Sequence, residues 1–253
     1  YEKEYGYWKE NPELYWSKKA SFIHWFKPYK SVLSKDKDGK YEWFKDGELN
    51  TCFNCLDRHI KDGLGNKNAI IYDSPISKNK KIISYFQLLE EVSKLANILL
   101  SLGVKKGERV ILYMPMIPEV VIAMLACARI GAIHSVVFGG FAAQELANRI
   151  SDSKPMVILS ASCGLEPNKI INYKKILDKA ISLSPYTPKN QIVYQRDHLK
   201  VPLDQPGDLD WIKLMSNAKN TINKCVSLKS EDPLYVLYTS GTTGIPKGIV
   251  RTN

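Results

Sequence analysis

A chain of 253 residues with 44% hydrophobic content can bury a core in one large domain or two small ones, which excludes an intrinsically disordered segment. Its formal net charge of +10 points toward anionic partners, yet the lysines are scattered through loops such as Lys78-Asn79-Lys80-Lys81 and Lys35-Asp36-Lys37-Asp38. With no basic helical stripe and no interleaved aromatic platform, a nucleic-acid partner is not expected.

Residues 1–60 are rich in aromatic residues. Tyr7, Trp8, Tyr15, Trp16, Phe22, Trp25 and Phe26 fall near helical spacing around Pro12, which reads as a wrapping segment packed onto a larger body. Residues 61–230 carry a different pattern. Ala69 to Tyr72 reads as a strand. Ser84 is placed to cap a helix whose apolar positions Phe86, Leu89, Val92, Leu95, Ala96 and Leu99 follow a 3.6-residue period and stop at Gly103. Arg109 to Tyr113 is the next strand, and Pro118 opens a helix that ends at Gly131. The longest apolar run, Val120 to Ala128, lies in that helix and is broken by Arg129. It is shorter than the ~20 residues a membrane span needs, so no membrane partner is expected.

Ser135 to Phe138 reads as a strand, Gly139-Gly140 as a loop and Ala142 to Ile150 as a helix. Met156 to Leu159 is a strand, Tyr173 to Ser182 a helix and Gln191 to Tyr194 a strand. Repeated alternation of strand and helix predicts an α/β fold with a mainly parallel sheet and flanking helices. Residues 197–210, with Pro202, Pro206 and Gly207, read as a surface connection.

The five cysteines are an odd number, with no secretion signal, which favours reduced thiols inside a cell. Cys52-Phe53-Asn54-Cys55 has C-x-x-C spacing but no second pair at zinc-ligand spacing and no strand-to-helix setting, so it reads as structural. His59 and His134 have no readable carboxylate partner and also read as structural. No residue is assigned as a metal ligand. The chain starts at Tyr1, so a targeting peptide is not readable from it.

Residues 231–253 hold the most specific signal. Leu234 to Tyr238 is a short apolar and aromatic strand opened by Pro233. It runs into Thr239-Ser240-Gly241-Thr242-Thr243-Gly244-Ile245-Pro246-Lys247-Gly248. Glycines let successive backbone N–H groups converge on one anion, hydroxyls add donors, and a lysine adds a charge-assisted bond to phosphate. A plain surface turn does not need this set. A Walker P-loop starting at Gly241 requires Gly at 246 and Ser or Thr at 248, where the chain has Pro246 and Gly248.

The loop resembles the signature loop of the adenylate-forming superfamily: acyl-CoA synthetases, peptide-synthetase adenylation domains and luciferases. The resemblance spans nearly the whole chain. Met124 to His134 and Trp43 to His59 are similar to the short-chain acyl-CoA synthetase branch, as is Phe138-Gly139-Gly140. It implies the incomplete N-terminal domain of the adenylate-forming fold, with residues 231–253 opening its next subdomain. It also implies that carboxylate and MgATP give an acyl-adenylate and pyrophosphate, and that coenzyme A then displaces AMP.

By the same resemblance, Thr239, Ser240, Gly241, Thr242, Thr243, Gly244 and Lys247 bind the ATP phosphates with Mg²⁺. Phe138, Gly139, Gly140, Glu166, Pro167, Asn168 and Lys169 fall in the coenzyme A region. In the acetate branch two arginines occupy the places of Glu166 and Lys169. Lys169 can still meet a phosphate as a point charge, whereas Glu166 cannot. Gly164-Leu165-Glu166-Pro167-Asn168-Lys169 and Arg251 favour propionate over acetate. The adenylating lysine belongs to the family's C-terminal domain, so no catalytic residue is expected in this chain, nor acyl-CoA synthesis by it alone. A non-catalytic nucleotide- or coenzyme A-binding module is the alternative. The expected location is intracellular, cytoplasmic or mitochondrial.

Overall fold

The computed structural model describes residues 1–219, 221–239 and 246–253. The N-terminal segment opens with α1 (Glu2–Glu10) and α2 (Pro12–Ala20), the second started by Pro12 at its first turn, where a missing N–H costs nothing. A β-hairpin follows, β1 (Ser31–Lys35) with β2 (Tyr41–Lys45), and then the short β3 (Glu48–Leu49). The aromatic residues pack mainly on one another, as in the edge-on Trp16–Trp43 and Trp25–Tyr29 pairs, and Tyr1, Phe22 and Tyr41 remain exposed.

Residues 51–64 form a helical segment with wide turns over Phe53–Asp57 and Ile60–Leu64, kinked at Gly63, whose φ is 80°. Cys52 therefore does lie at the start of a helical segment behind a short strand, a setting the spacing alone did not indicate.

The strand expected at 69–72 is β4 (Asn68–Ser74). It pairs only with β5 (Asn79–Ser84) as an antiparallel ribbon outside the main sheet. The capping signal at Ser84 is realised in α3 (Tyr85–Ser101). The Ser84 hydroxyl accepts from the Gln87 N–H, and the Gln87 side chain accepts from the Ser84 N–H. Leu89, Val92, Leu95, Ala96 and Leu99 are buried as the period requires, while Phe86 is half exposed.

The main sheet begins with β6 (Arg109–Tyr113). It continues through α4 (Pro118–Ile130), β7 (Ile133–Val136), α5 (Ala143–Ser153) and β8 (Val157–Ala161). Gly131 ends α4 at φ 74°, a left-handed cap that glycine adopts without strain. A hairpin, β9 (Cys163–Glu166) with β10 (Lys169–Asn172), leads into α6 (Tyr173–Leu183) and β11 (Asn190–Tyr194). The connection read over 197–210 ends in an edge strand, β12 (Asp208–Asp210), followed by α7 (Trp211–Asn217). The short β13 (Leu228–Lys229) pairs with β3, and β14 (Pro233–Thr239) and β15 (Lys247–Thr252) close the chain.

Among the described residues the main sheet has seven strands in the order β12-β11-β8-β6-β7-β14-β15, parallel from β12 to β14 with β15 antiparallel at the edge. Both faces are buried over β6, β8 and β11, and strand alternation distributes side chains between them. Val110, Leu112, Val157 and Leu159 join the core beneath α3, α4 and α7, whereas Ile111, Tyr113 and Ile158 join the core beneath α5 and α6. No helix among the described residues is long and apolar enough to cross a membrane.

Three side chains fasten the N-terminal segment to this body. Asn50, fully buried, donates from Nδ2 to the carbonyls of Ala128 and Val226 at 2.9 Å each and accepts the Phe53 N–H. Arg129, 1% exposed at the end of α4, makes a bidentate pair with Asp57, Nη1–Oδ2 2.7 Å and Nη2–Oδ1 2.9 Å, and donates from Nε to the Asn223 carbonyl. Burial alone would lower the Arg129 pKa. The Asp57 hydrogen bonds and the Cys52 and Cys225 sulfurs outweigh it and hold the pKa above the usual arginine value.

His134 sits on β7 with its ring 5.7 Å from that of Tyr235 and its buried Nδ1 without a partner. Burial pushes its pKa down to about 4 from 6.5. The folded state keeps the imidazole neutral, so between pH 6.5 and 4 only the unfolded chain gains the proton. Stability is therefore expected to fall by about 3 kcal/mol across that window as pH is lowered, and no further below it from this group. Denaturation midpoints of the wild type and His134→Gln between pH 8 and 4 check this, and the variant should lose that part of the slope.

Candidate functional site

In open α/β sheets, ligands gather beyond the carboxyl ends of the strands, where connections leave toward opposite faces. Here β6 leads to α4 on one face and β8 leads to α6 on the other. Beyond these strands lies a cleft of about 400 Å³. It is lined by Met114 and Met116 after β6, by Val137 to Gly140 after β7, by Leu165, Glu166 and Ile171 of the β9–β10 hairpin, by Tyr173 and by Leu237 of β14.

The strand read over 135–138 lies two residues earlier, at 133–136. His134 pairs with Val110 and Tyr235, and the Val137 N–H makes one last bond to the Leu112 carbonyl before the chain leaves the sheet. Phe138 is thereby released into the cleft mouth, 70% exposed.

Tyr173, which lines the cleft, stacks on the fully buried Tyr113. Tyr113 and Tyr173 lie with ring centroids 4.8 Å apart at 27°, and the Tyr113 hydroxyl donates toward the carbonyls of Gly139 (3.4 Å) and Phe141 (3.5 Å). Burial, followed by the neighbouring Tyr173, holds the Tyr113 hydroxyl protonated far above its ordinary pKa. Gly139 and Gly164 press on Tyr173 from two sides. A Cβ on Gly139 would overlap the Tyr173 hydroxyl, and one on Gly164 would sit 2.5 Å from its ring. Gly139→Ala is expected to cost about 1–3 kcal/mol through overpacking, and Tyr173→Phe in that background should recover part of it. Chemical denaturation of the single and double variants reads both effects.

Four of the residues assigned to coenzyme A, Phe138, Gly139, Gly140 and Glu166, share this cleft. The stretch Gly164 to Lys169 lies in the β9–β10 hairpin. Glu166 and Lys169 are cross-strand partners, Pro167-Asn168 form its tip, and all four are exposed. Lys169 thus stands directly across from the carboxylate of Glu166. The tyrosine stack and Met114 to Met116 were not picked out from sequence, although Met114-Pro115-Met116 directly follows a strand, the position where such residues gather.

Of the residues assigned to the phosphates, two are described, at the end of β14 and the start of β15. Thr239 and Lys247 are Cα partners that close the β14–β15 ladder, and both are exposed. Ser240, Gly241, Thr242, Thr243 and Gly244 lie outside the described residues. Leu237 lines the cleft, while Tyr238, next in the strand, donates from its hydroxyl to Asp152 Oδ2 at 2.5 Å. Arg149 stands 5.3 Å over the Tyr238 ring, so the end of β14 is fixed to α5.

An open, mostly parallel α/β sheet with a cleft at its carboxyl edge is the architecture of the ligand-binding α/β class. A family model described as AMP-binding enzyme matches residues 57–253, and one described as acetyl-coenzyme A synthetase N-terminus matches residues 1–55. The chain belongs to the AMP-binding enzyme family.

Its relatives include acyl-CoA synthetase short-chain family member 3, mitochondrial, of Rattus norvegicus. That protein is 50% identical over 242 residues, which cover 95% of this chain and 35% of the relative. The acetyl-coenzyme A synthetase of Desulfatibacillum aliphaticivorans is 42% identical over 254 residues, covering 100% of this chain and 39% of the relative. Among solved structures, acetoacetyl-CoA synthetase from Streptomyces lividans superposes with a TM-score of 0.84 at 26% identity, over 97% of this chain and 37% of that one. The chain thus spans little more than a third of the length of these relatives.

Proposed function

We propose that this chain is the nucleotide- and coenzyme A-binding portion of an ATP-dependent short-chain acyl-CoA synthetase. One oxygen of a short-chain carboxylate attacks the α-phosphorus of MgATP. A C–O–P linkage forms, the bond to the β-phosphate breaks, and pyrophosphate leaves. The thiol of coenzyme A then attacks the acyl carbon, forming the thioester and releasing AMP.

In this reading Thr239, Ser240, Gly241, Thr242, Thr243, Gly244 and Lys247 hold the β- and γ-phosphates, and Mg²⁺ enters with ATP as part of the substrate. Lys247 neutralises charge on the departing pyrophosphate, the kind of electrostatic contribution that dominates phosphoryl chemistry. Phe138, Gly139 and Gly140 form a flat, partly apolar shelf for the coenzyme A nucleotide, with Lys169 as its cation and Pro167-Asn168 at its rim. Glu166 sets the charge limit of that shelf, because a carboxylate repels a phosphate.

The observation that supports the reading is strand β14, whose Leu237 lines the cleft two residues before Thr239. In this reading the coenzyme A shelf and the phosphate segment are neighbours. This is what a reaction needs when it passes one acyl group from phosphate to thiol.

Propionate is the favoured substrate, on the strength of the Gly164 to Lys169 hairpin and Arg251. The test is the ratio of kcat/KM for propionate and acetate in the synthetase that carries this chain. Propionate should give the higher value. A higher value for acetate overturns the preference and leaves the reaction class standing. Residues 1–253 alone are expected to form no acyl-CoA from ATP, propionate and coenzyme A.

A further inference from the structure

Away from the cleft, two cysteines distant in sequence meet where the N-terminal segment joins the body. Cys52 Sγ, a carboxylate oxygen of Asp57 and Cys225 Sγ all lie within 4.8 Å of one another. The Cys225 thiol donates to Asp57 Oδ2 at 3.7 Å and lies beside the Cys52 sulfur. Three such atoms have metal-ligand spacing, but the Arg129 guanidinium already engages two of them, Asp57 and Cys52. It donates to both Asp57 oxygens and, at 3.5 Å, to Cys52 Sγ. A divalent cation would have to displace a buried positive charge. The chemistry left to the two sulfurs is with each other.

We propose that Cys52 and Cys225 are a redox-sensitive dithiol that a peroxide converts to a disulfide. From a separation of at most 4.8 Å, each sulfur needs to move no more than roughly 1.4 Å to reach the ~2.05 Å of an S–S bond. Cys52 is fully buried, whereas Cys225 is partly exposed and lines a cleft of about 330 Å³ bounded by Phe26, Phe53, Lys61, Ile222 and Asn223. Peroxide therefore meets Cys225 first.

Cys225 Sγ attacks one peroxide oxygen. The S–O bond forms, the O–O bond breaks, and the leaving hydroxide takes the thiol proton and departs as water. Cys52 Sγ then attacks the sulfenic sulfur of Cys225. The S–S bond forms, the S–O bond breaks, and the second hydroxide leaves as water with the Cys52 proton. Two thiols lose two electrons, and one peroxide becomes two waters. The adjacent Cys52 thiol, with burial, raises the Cys225 pKa, so this first step is slow and needs sustained exposure to oxidant.

The bond would covalently join the start of the 51–64 helical segment to the connection that leads into β14. Asn50 and Arg129 now hold those two segments together by hydrogen bonds alone. The redox partner of Cys52 is thus the distant Cys225, and not Cys55 of the C-x-x-C pair.

The test is a peptide mass map of the reduced, purified protein after prolonged treatment with hydrogen peroxide and digestion without reductant. The expected result is a linked peptide pair holding Cys52 and Cys225, two hydrogens lighter than its free parts. It should come with the loss of two of the five thiols, a higher Tm and full reversal by dithiothreitol. Cys55→Ser should leave the link intact and Cys225→Ser should abolish it. Because Cys225→Ser could also disturb folding, the wild-type map stands as a test by itself. Unchanged thiols, irreversible oxidation of Cys225 alone, or a link from Cys52 to Cys55 overturns the proposal. Stoichiometric Zn²⁺ binding that shields both thiols would equally overturn it, in favour of a metal site.

Discussion

Arg129→Leu is expected to cost about 3–5 kcal/mol of folding stability, because it leaves Asp57 buried against an apolar side chain with its charge unpaired. The figure follows from asymmetry. The intact pair has already met the expense of dehydrating both ions, and its net worth is small. Removing the cation alone strands a carboxylate whose side chain is only 16% exposed, and also frees the Asn223 carbonyl that Arg129 satisfies. The measurement is urea denaturation of Arg129→Leu, Asp57→Leu and the double variant. The double variant should be more stable than the sum of the single losses predicts, because it buries no lone charge. Simple additivity would show that the pair carries no coupling.

Lys247→Ala in the synthetase that carries this chain is expected to slow adenylation by about 10²-fold, the usual loss when one preorganised charge or donor is removed from a developing anion. Thioester formation from preformed acyl-adenylate should change far less, since pyrophosphate has left by then. Single-turnover kinetics of the two half-reactions separate the effects. Equal losses in both would assign Lys247 to general architecture.

The sequence was most readable where one rule acts alone. The Ser84 cap of α3, the Pro118 start and Gly131 stop of α4, and the strand Arg109–Tyr113 all depend on local chemistry and came out as read. The reading slipped where tertiary pairing decides. Ser135 to Phe138 is apolar enough to be a strand throughout, but the register with Val110 and Tyr235 ends β7 at Val136. Gly164 to Lys169 has loop composition, yet Pro167-Asn168 turns it into a hairpin. The β4 pattern was correct as a strand, but nothing in it told a ribbon from a sheet member.

The site followed the same division. The Gly139-Gly140 pair was visible as a loop after a strand, but Tyr173, which Gly139 abuts, comes from an element 34 residues further on and has no local signature. Arg129 read only as a break in an apolar run. Its partners Asp57 and Asn223 lie 72 and 94 residues away, and no periodicity connects them.

Carboxylate-dependent exchange of labelled pyrophosphate into ATP, catalysed by the synthetase that carries this chain, tests the central claim most directly. The assay reports adenylate formation without needing the second half-reaction. Exchange that requires a short-chain carboxylate and Mg²⁺, proceeds without coenzyme A and collapses in Lys247→Ala is the predicted result. Binding of ATP with no carboxylate-dependent exchange would contradict the account and leave a nucleotide-binding protein without the ligase reaction.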